Sequence, residues 1–144
     1  MRYWDSSALV PLVVAEPATS QVRQWLREDP AIVTWAWTRV ELAGAVERRA
    51  REGKLNRQQR RRALDRFEHL ADTWDEVTDV LAVRGRALGL LARHALRAAD
   101  AAQIGAALLV AGSDPRSLPF VCLDDQLATA AEREGFAILS HPET

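Results

Sequence analysis

Short, almost wholly apolar runs alternate with helix-patterned segments along this chain, and two of those runs end directly on an aspartate. Arg2-Tyr3-Trp4-Asp5 reads as a first strand closed by an acid, and Phe120-Val121-Cys122-Leu123 as a later strand closed by Asp124. Strands that are apolar on both sides need helices covering both faces. The alternation therefore predicts an α/β fold, a three-layer α/β/α arrangement around a mainly parallel central sheet. At 144 residues the length suits one domain with one sizeable core, so residues 1–144 read as a single domain.

The intervening residues fill in the pattern. Ser6 and Ser7 are good caps for a short helix running to about Ala15, where Glu16-Pro17 breaks it. Thr19 or Ser20 caps a second helix to about Arg27, and Ile32-Val33-Thr34 is a second strand. Thr38 and Glu41 match a capping box at the head of a third helix, which runs to about Glu52 and stops at Gly53. Asn56 caps a fourth helix, Trp74 to Val77 is a third strand, and Asp79 starts a helix to about Leu91. Asp100 lies at or near the start of an Ala-rich helix ending near Val110. Asp125 reads as the cap of a helix to Glu134, and Phe136 to Leu139 as a last strand.

In open parallel sheets, sites gather beyond the carboxyl ends of the strands. Asp5 and Asp124 both fall on that edge. Glu41, in the first turn of the helix after the second strand, can approach it, and small residues around Asp100 let its helix pack close enough to hold that acid there too. Four carboxylates from distant segments thus converge. Like charges in one site raise one another's pKa or recruit a cation, and hard oxygen ligands favour Mg²⁺ or Mn²⁺. Such a site suits phosphodiester hydrolysis. Local roles compete with this reading. Glu41 serves the capping box and Asp100 suits a helix N-terminus. Asp125, the natural cap, leaves Asp124 as the better ligand. His69, His94 and His141 lack zinc-motif spacing, and Cys122, the single cysteine, can form neither an internal disulfide nor a cysteine metal site.

A net charge of −1, taken as a total, argues against a nucleic-acid partner, but the charges are not evenly spread. Arg48 to Arg66 holds nine basic residues against Glu52 and Asp65, a local +7. Such a stretch can bind phosphates whatever the total, and it can equally be a solvated helix face. Trp35 and Trp37 alternate about Ala36, which leaves one for the core and the other for a groove or a partner. The apolar run Ala8 to Ala15 is too short to span a bilayer, and no small-residue cleavage site follows it, so the chain reads as cytoplasmic.

In order and spacing, these residues resemble a PIN-domain ribonuclease, and most closely the VapC-type toxins of bacterial toxin–antitoxin pairs. The pieces are Tyr3-Trp4-Asp5-Ser6-Ser7-Ala8-Leu9-Val10, Glu16-Pro17, Thr38-Arg39-Val40-Glu41-Leu42-Ala43, Leu96 to Ile104 around Asp100, and Phe120 to Ala131 around Asp124, running into Gly135. Carried over by position, the resemblance implies an acidic metal set of Asp5, Glu41, Asp100 and Asp124. It further implies a Mg²⁺- or Mn²⁺-dependent endoribonuclease acting on RNA, a homodimer, and an inhibitory antitoxin laid across the site. The family's hydroxyl after the first Asp falls on Ser6, with Ser7 beside it. One departure is Cys122, where the family often has Thr or Ser two residues before the last acid. A thiol is a weaker hydrogen-bond partner. Two other readings stand beside the nuclease. One is a non-enzymatic RNA- or protein-binding module. The other is a receiver-type phospho-acceptor, which the lack of an acid beside Asp5 and the presence of Lys54 as the sole lysine disfavour.

Overall fold

The computed structural model of the chain describes residues 1–141. The elements run β1 (Arg2–Trp4), α1 (Ser6–Val13), α2 (Thr19–Glu28), β2 (Ile32–Trp35), α3 (Thr38–Arg51), α4 (Arg57–Ala71), β3 (Asp75–Val77), α5 (Val80–Arg93), α6 (Ala98–Ala111), β4 (Phe120–Val121), α7 (Asp125–Arg133) and β5 (Ile138–Leu139). The sheet is ordered β3-β2-β1-β4-β5, and all four pairings are parallel. The three-layer α/β/α reading holds, and the sheet is wholly rather than mainly parallel. The last two strands are shorter than their apolar runs, so Cys122 and Leu123 lie beyond β4.

The strand alternation divides the core. Tyr3, Val33 and Phe120 join a cluster with Val83, Leu90, Ile104 and Leu127, from α5, α6 and α7. Their neighbours Trp4, Ile32 and Val121 join a second cluster with Leu9, Val22, Leu42 and Val46, from α1, α2 and α3. Successive strand residues point to opposite faces, so each apolar strand feeds two helical layers. Tyr3 stacks on Phe120 at 5.1 Å between ring centroids, tying the central strand to β4 across one face. Trp35 is buried at 8% exposure and Trp37 stands out at 61%, as the alternation around Ala36 requires.

Several helix starts follow local chemistry, and others do not. Asn56 and Gln59 form a reciprocal capping box on α4, and Asp79 caps α5 through the Ala82 N–H. The expected Thr38–Glu41 box is not made. Trp37 is the cap residue of α3 with no side-chain bond, because Thr38 is buried and hydrogen-bonded to Thr34 instead. Neither Thr19 nor Ser20 caps α2. Its cap residue is Ala18, and the Thr19 hydroxyl donates to the Pro11 carbonyl. After α3 the chain turns at Gly53, whose φ of +77° is a left-handed conformation that favours glycine. That turn sends α4 back against α3 and matters for the charge distribution below.

α5 and α6 pack side by side, and Gly105 sets their separation. A Cβ there would lie 3.2 Å from the Val83 carbonyl oxygen and 3.4 Å from the Ala87 nitrogen, both backbone atoms. Gly85, on the exposed side of α5, has nothing within 4 Å of its own virtual Cβ. Gly105→Val is therefore expected to destabilise by about 1–3 kcal/mol through overpacking. Gly85→Ala should stabilise by about 0.5–1 kcal/mol through backbone entropy. Urea denaturation of the two variants checks the pair. Equal effects would mean that the helices can separate freely at Gly105.

β1 is central, with β2 on one side and β4 on the other. The chain leaves β1 toward β2 by way of α1 and α2, and reaches β4 from β3 by way of α5 and α6. The crevice beyond the carboxyl ends of β1 and β4 is thus a switch point in strand order, the place where α/β sheets bind ligands.

Candidate active site

A cavity of about 1150 Å³ opens at this crevice, and Asp5, Glu41, Asp100 and Asp124 all line it. The fold therefore brings together the four acids that the sequence singled out.

Asp5 follows β1 and is 3% exposed. It is also the N-cap of α1, in place of the expected Ser6 or Ser7: its Oδ2 accepts from the Ser7 N–H at 3.1 Å. The Ser7 hydroxyl donates to the same oxygen and accepts from the Leu123 N–H at 2.9 Å, joining the end of β1 to the segment after β4. Burial pushes the Asp5 carboxyl up to about 6, against the lowering effect of the Ser7 bonds and with help from the neighbouring Glu41 and Asp100 charges.

Glu41, with no capping box to serve, turns toward the cavity. Its Oε2 accepts from the Ser6 hydroxyl at 2.9 Å and its Oε1 from the Gln103 amide at 3.0 Å. Burial raises its pKa. The Ser6 and Gln103 bonds oppose that shift, the Asp100 charge adds to it, and Arg97 works against it. The two serines thus divide the work, Ser7 holding Asp5 and Ser6 holding Glu41.

Asp100 lies in the first turn of α6 and is 8% exposed. Asp124, rather than Asp125, is the N-cap of α7, its Oδ1 accepting from the Leu127 N–H at 3.0 Å. The extended backbone at Asp124 brings the helix start one residue earlier than the local pattern favours. The Cys122 thiol lies between the two aspartate segments. It accepts from the Asp124 N–H at 3.3 Å and lies 3.7 Å from Asp5 Oδ2. Burial raises its pKa strongly, so it stays a protonated thiol, and Ser7 rather than position 122 supplies the strong donor to Asp5.

Two polar residues of the site were not singled out from the sequence. Arg97 donates from Nε to Asp100 Oδ2 at 3.1 Å, and its guanidinium also lies 3.7 Å from Asp124 Oδ2. Gln103, fully buried, accepts from the Tyr3 hydroxyl at 2.6 Å and donates to Thr38 Oγ1 and Glu41 Oε1, each at 3.0 Å. Each lies three residues from Asp100, Arg97 as the cap residue of α6 and Gln103 one turn further along it, so each is a neighbour of that acid. A lone glutamine inside the apolar run Ala98–Ala111 was the available clue.

The basic stretch divides at the Gly53 turn. Arg48, Arg49 and Arg51 of α3 line the cavity together with Arg97, and Arg49 is paired with Glu16 at 2.7 Å. On α4, Arg60 pairs with Glu47, while Arg62 and Arg66 edge a separate groove of about 830 Å³ floored by Leu12, Leu26 and Leu70. His141 lines the acidic cavity, bonded to the Leu123 carbonyl. His94 pairs with Glu134 and His69 with the Asp65 carbonyl, both away from the acids.

Among the described residues, no three carboxylate, imidazole or thiol side chains are grouped closely enough to hold one metal ion as they stand. The donor chemistry nevertheless fits a hard divalent cation. Mg²⁺ keeps several of its waters and needs only one or two direct carboxylates. A carboxylate raised toward neutral pH by burial, with like-charged neighbours adding to the shift, is a group that a cation would relieve.

The PIN domain family profile matches residues 2–121. The chain belongs to the PIN-domain family. Within it, the chain is of VapC type: it is 31% identical to Ribonuclease VapC47 of Mycobacterium tuberculosis over 97% of this chain and 96% of that protein. Two crystal structures share the fold. PAE2754 from Pyrobaculum aerophilum has a TM-score of 0.67 at 18% identity, covering 97% of this chain and 89% of its own. FitAcB from Neisseria gonorrhoeae has a TM-score of 0.66 at 19% identity, covering 96% of each chain. The PIN-domain match ends at Val121, so the last of the four acids in this chain lies just beyond it.

Proposed function

We propose that this PIN domain, a single domain over residues 1–144, is a divalent-metal-dependent endoribonuclease and the toxin of a VapBC-type pair. It would hydrolyse RNA phosphodiester bonds at Asp5, Glu41, Asp100 and Asp124. The observation that carries the reading is the lining of one switch-point cavity by these four acids, each from a different segment. The likeness to Ribonuclease VapC47 supports the substrate class.

Asp5, Glu41, Asp100 and Asp124 would hold the Mg²⁺ or Mn²⁺. The bound ion would supply a Lewis acid for phosphate oxygens and a more acidic water. The chain's own residues do the rest. Ser7 fixes Asp5 from two donors, its N–H and its hydroxyl, and Ser6 and Gln103 fix both oxygens of Glu41. A water attacking phosphorus would give its proton to one of these carboxylates as the P–O bond to the leaving ribose oxygen breaks, and that oxygen would take up a proton from solvent. Arg48 and Arg51 on the cavity wall offset the repulsion between acids and RNA backbone, a repulsion that would otherwise oppose substrate approach.

The partner surfaces belong to the same reading. The α2–α4 groove, with an apolar floor and an edge of Arg23, Arg62 and Arg66, suits an amphipathic, acidic antitoxin segment. The exposed apolar residues Val80, Leu81 and Leu88 of α5 suit a second copy of the chain. No helix among the described residues is long and apolar enough to cross a membrane, and a cytoplasmic location accords with the reading.

The test is cleavage of a single-stranded RNA with Mn²⁺, with EDTA, and by Asp100→Asn. We expect cleavage to require the metal and to fall by about 10²–10³-fold in the variant, the scale on which removal of one electrostatic group is felt. Metal-independent cleavage that survives Asp100→Asn would sink the proposal. The absence of any divalent-ion binding near neutral pH would favour the non-enzymatic module.

A further inference from the structure

Arg97 stands between two of the four acids. It contacts Asp100 in α6 at 3.1 Å and Asp124 at the head of α7 at 3.7 Å, so one side chain spans the mouth of the cavity. Its own side chain is 77% exposed, whereas that of Asp100 is 11% exposed. A cation on a long, solvated stem thus meets carboxylates that are less exposed than it is, at 11% for Asp100 and 32% for Asp124. Of the other cavity arginines, Arg49 is engaged by Glu16, and Arg48 and Arg51 make no ion pair with the four acids among the described residues.

We propose that Arg97 is the built-in counter-ion of the acidic cavity: it bridges Asp100 and Asp124 in the metal-free protein, gives way when a divalent cation binds, and then offers its guanidinium to an RNA phosphate. This rests on the metal-dependent ribonuclease reading above. The physical case has three parts. Guanidinium does not deprotonate in proteins, so Arg97 can yield the carboxylates only by moving. An ion pair this exposed is weak, so a divalent charge at the same oxygens displaces it. Once displaced, the planar fork remains beside the acids on a flexible stem, and it is well shaped to hold a phosphate through two hydrogen bonds. The arrangement offsets part of the negative charge at Asp100 and Asp124 both without the metal and with it.

Isothermal titration of Mn²⁺ into the metal-free wild type, Arg97→Gln and Arg97→Lys at low salt tests the first half. Arg97→Gln is expected to bind Mn²⁺ about 2- to 5-fold more tightly than the wild type, since no side chain need be displaced. Arg97→Lys, which keeps the charge, should stay near the wild-type value. In the Mn²⁺-loaded proteins, Arg97→Gln should raise KM for single-stranded RNA, and the log–log salt slope of RNA binding should become shallower by about 0.7, the loss of one phosphate contact. Unchanged or weaker Mn²⁺ binding in Arg97→Gln, or equal tightening in both variants, would overturn the counter-ion role. Unchanged KM and salt slope would overturn the phosphate role. A wild type that binds no Mn²⁺ at all would overturn the metal reading itself, and this inference with it.

Discussion

Asp5→Asn is expected to abolish metal-dependent RNA cleavage and yet to leave the metal-free protein more stable than the wild type by about 3 kcal/mol above pH 7. The figure follows from a carboxyl moved from 3.8 to about 6 on folding, at about 1.4 kcal/mol per pH unit. The sign is the reverse of that for a salt-bridged aspartate. A native pKa above the unfolded one means that the folded protein holds its proton more tightly, so stability is lost as pH rises from about 4 through 6, and the full penalty is present above that window. Asn keeps the size of the side chain and an oxygen to accept the Ser7 N–H while removing the buried charge. Urea denaturation in EDTA at pH 8 and at pH 4 measures the effect. The variant should lead at pH 8, and the gap should close at pH 4. A gap of the same size at both pH values would show that the charge at position 5 is not what costs stability. Adding Mn²⁺ at pH 8 should stabilise the wild type and leave Asp5→Asn nearly unmoved.

The second large effect is expected at Gln103. Gln103→Leu leaves the fully buried Tyr3 hydroxyl without its 2.6 Å partner and removes one of the two donors that fix Glu41. A buried hydroxyl left unpaired costs about 1–3 kcal/mol. Thr38 still bonds Thr34 and adds little to the loss. Cleavage should fall as well, because Glu41 is then held by Ser6 alone. Tyr3→Phe removes the orphaned group, so the double variant should be less destabilised than the sum of the single changes. It should remain impaired in cleavage, since Glu41 is still short of one donor. Thermal melts and initial cleavage rates of the four proteins separate the two effects. Strict additivity in stability would mean that Tyr3 and Gln103 do not act as a unit.

The parts of this protein that were legible in its sequence are those decided by near neighbours. An apolar strand followed by an acid predicts both the strand and the place of Asp5 or Asp124 at its end. Asn56 with Gln59 predicts the start of α4. The local pattern misled at several helix starts, and at α3 a tertiary partner prevailed over it. Thr38 is drawn to Thr34 and Gln103, which undoes the capping box and frees Glu41 for the cavity. Asp124, rather than Asp125, caps α7. Arg97 and Gln103 had no legible role because their meaning depends on Asp124, Tyr3 and Glu41, which are distant in the chain. The basic stretch was visible as a total, but the turn at Gly53 divides it between the cavity wall and a groove on α4, a division that no count of charges contains.

Two of the four acids, Asp5 and Asp124, also begin helices, and this constrains how the gene could be silenced by a single change. Replacing either by Ala removes a helix cap, at about 1 kcal/mol for an ordinary cap, along with the carboxylate. Replacing either by Asn leaves an acceptor for the same backbone N–H. A lineage under pressure to disarm the protein while keeping it folded, for instance to retain a binding partner, has its mildest route through Asp-to-Asn changes at these two positions. Glu41 and Asp100, which cap nothing, leave more choices open.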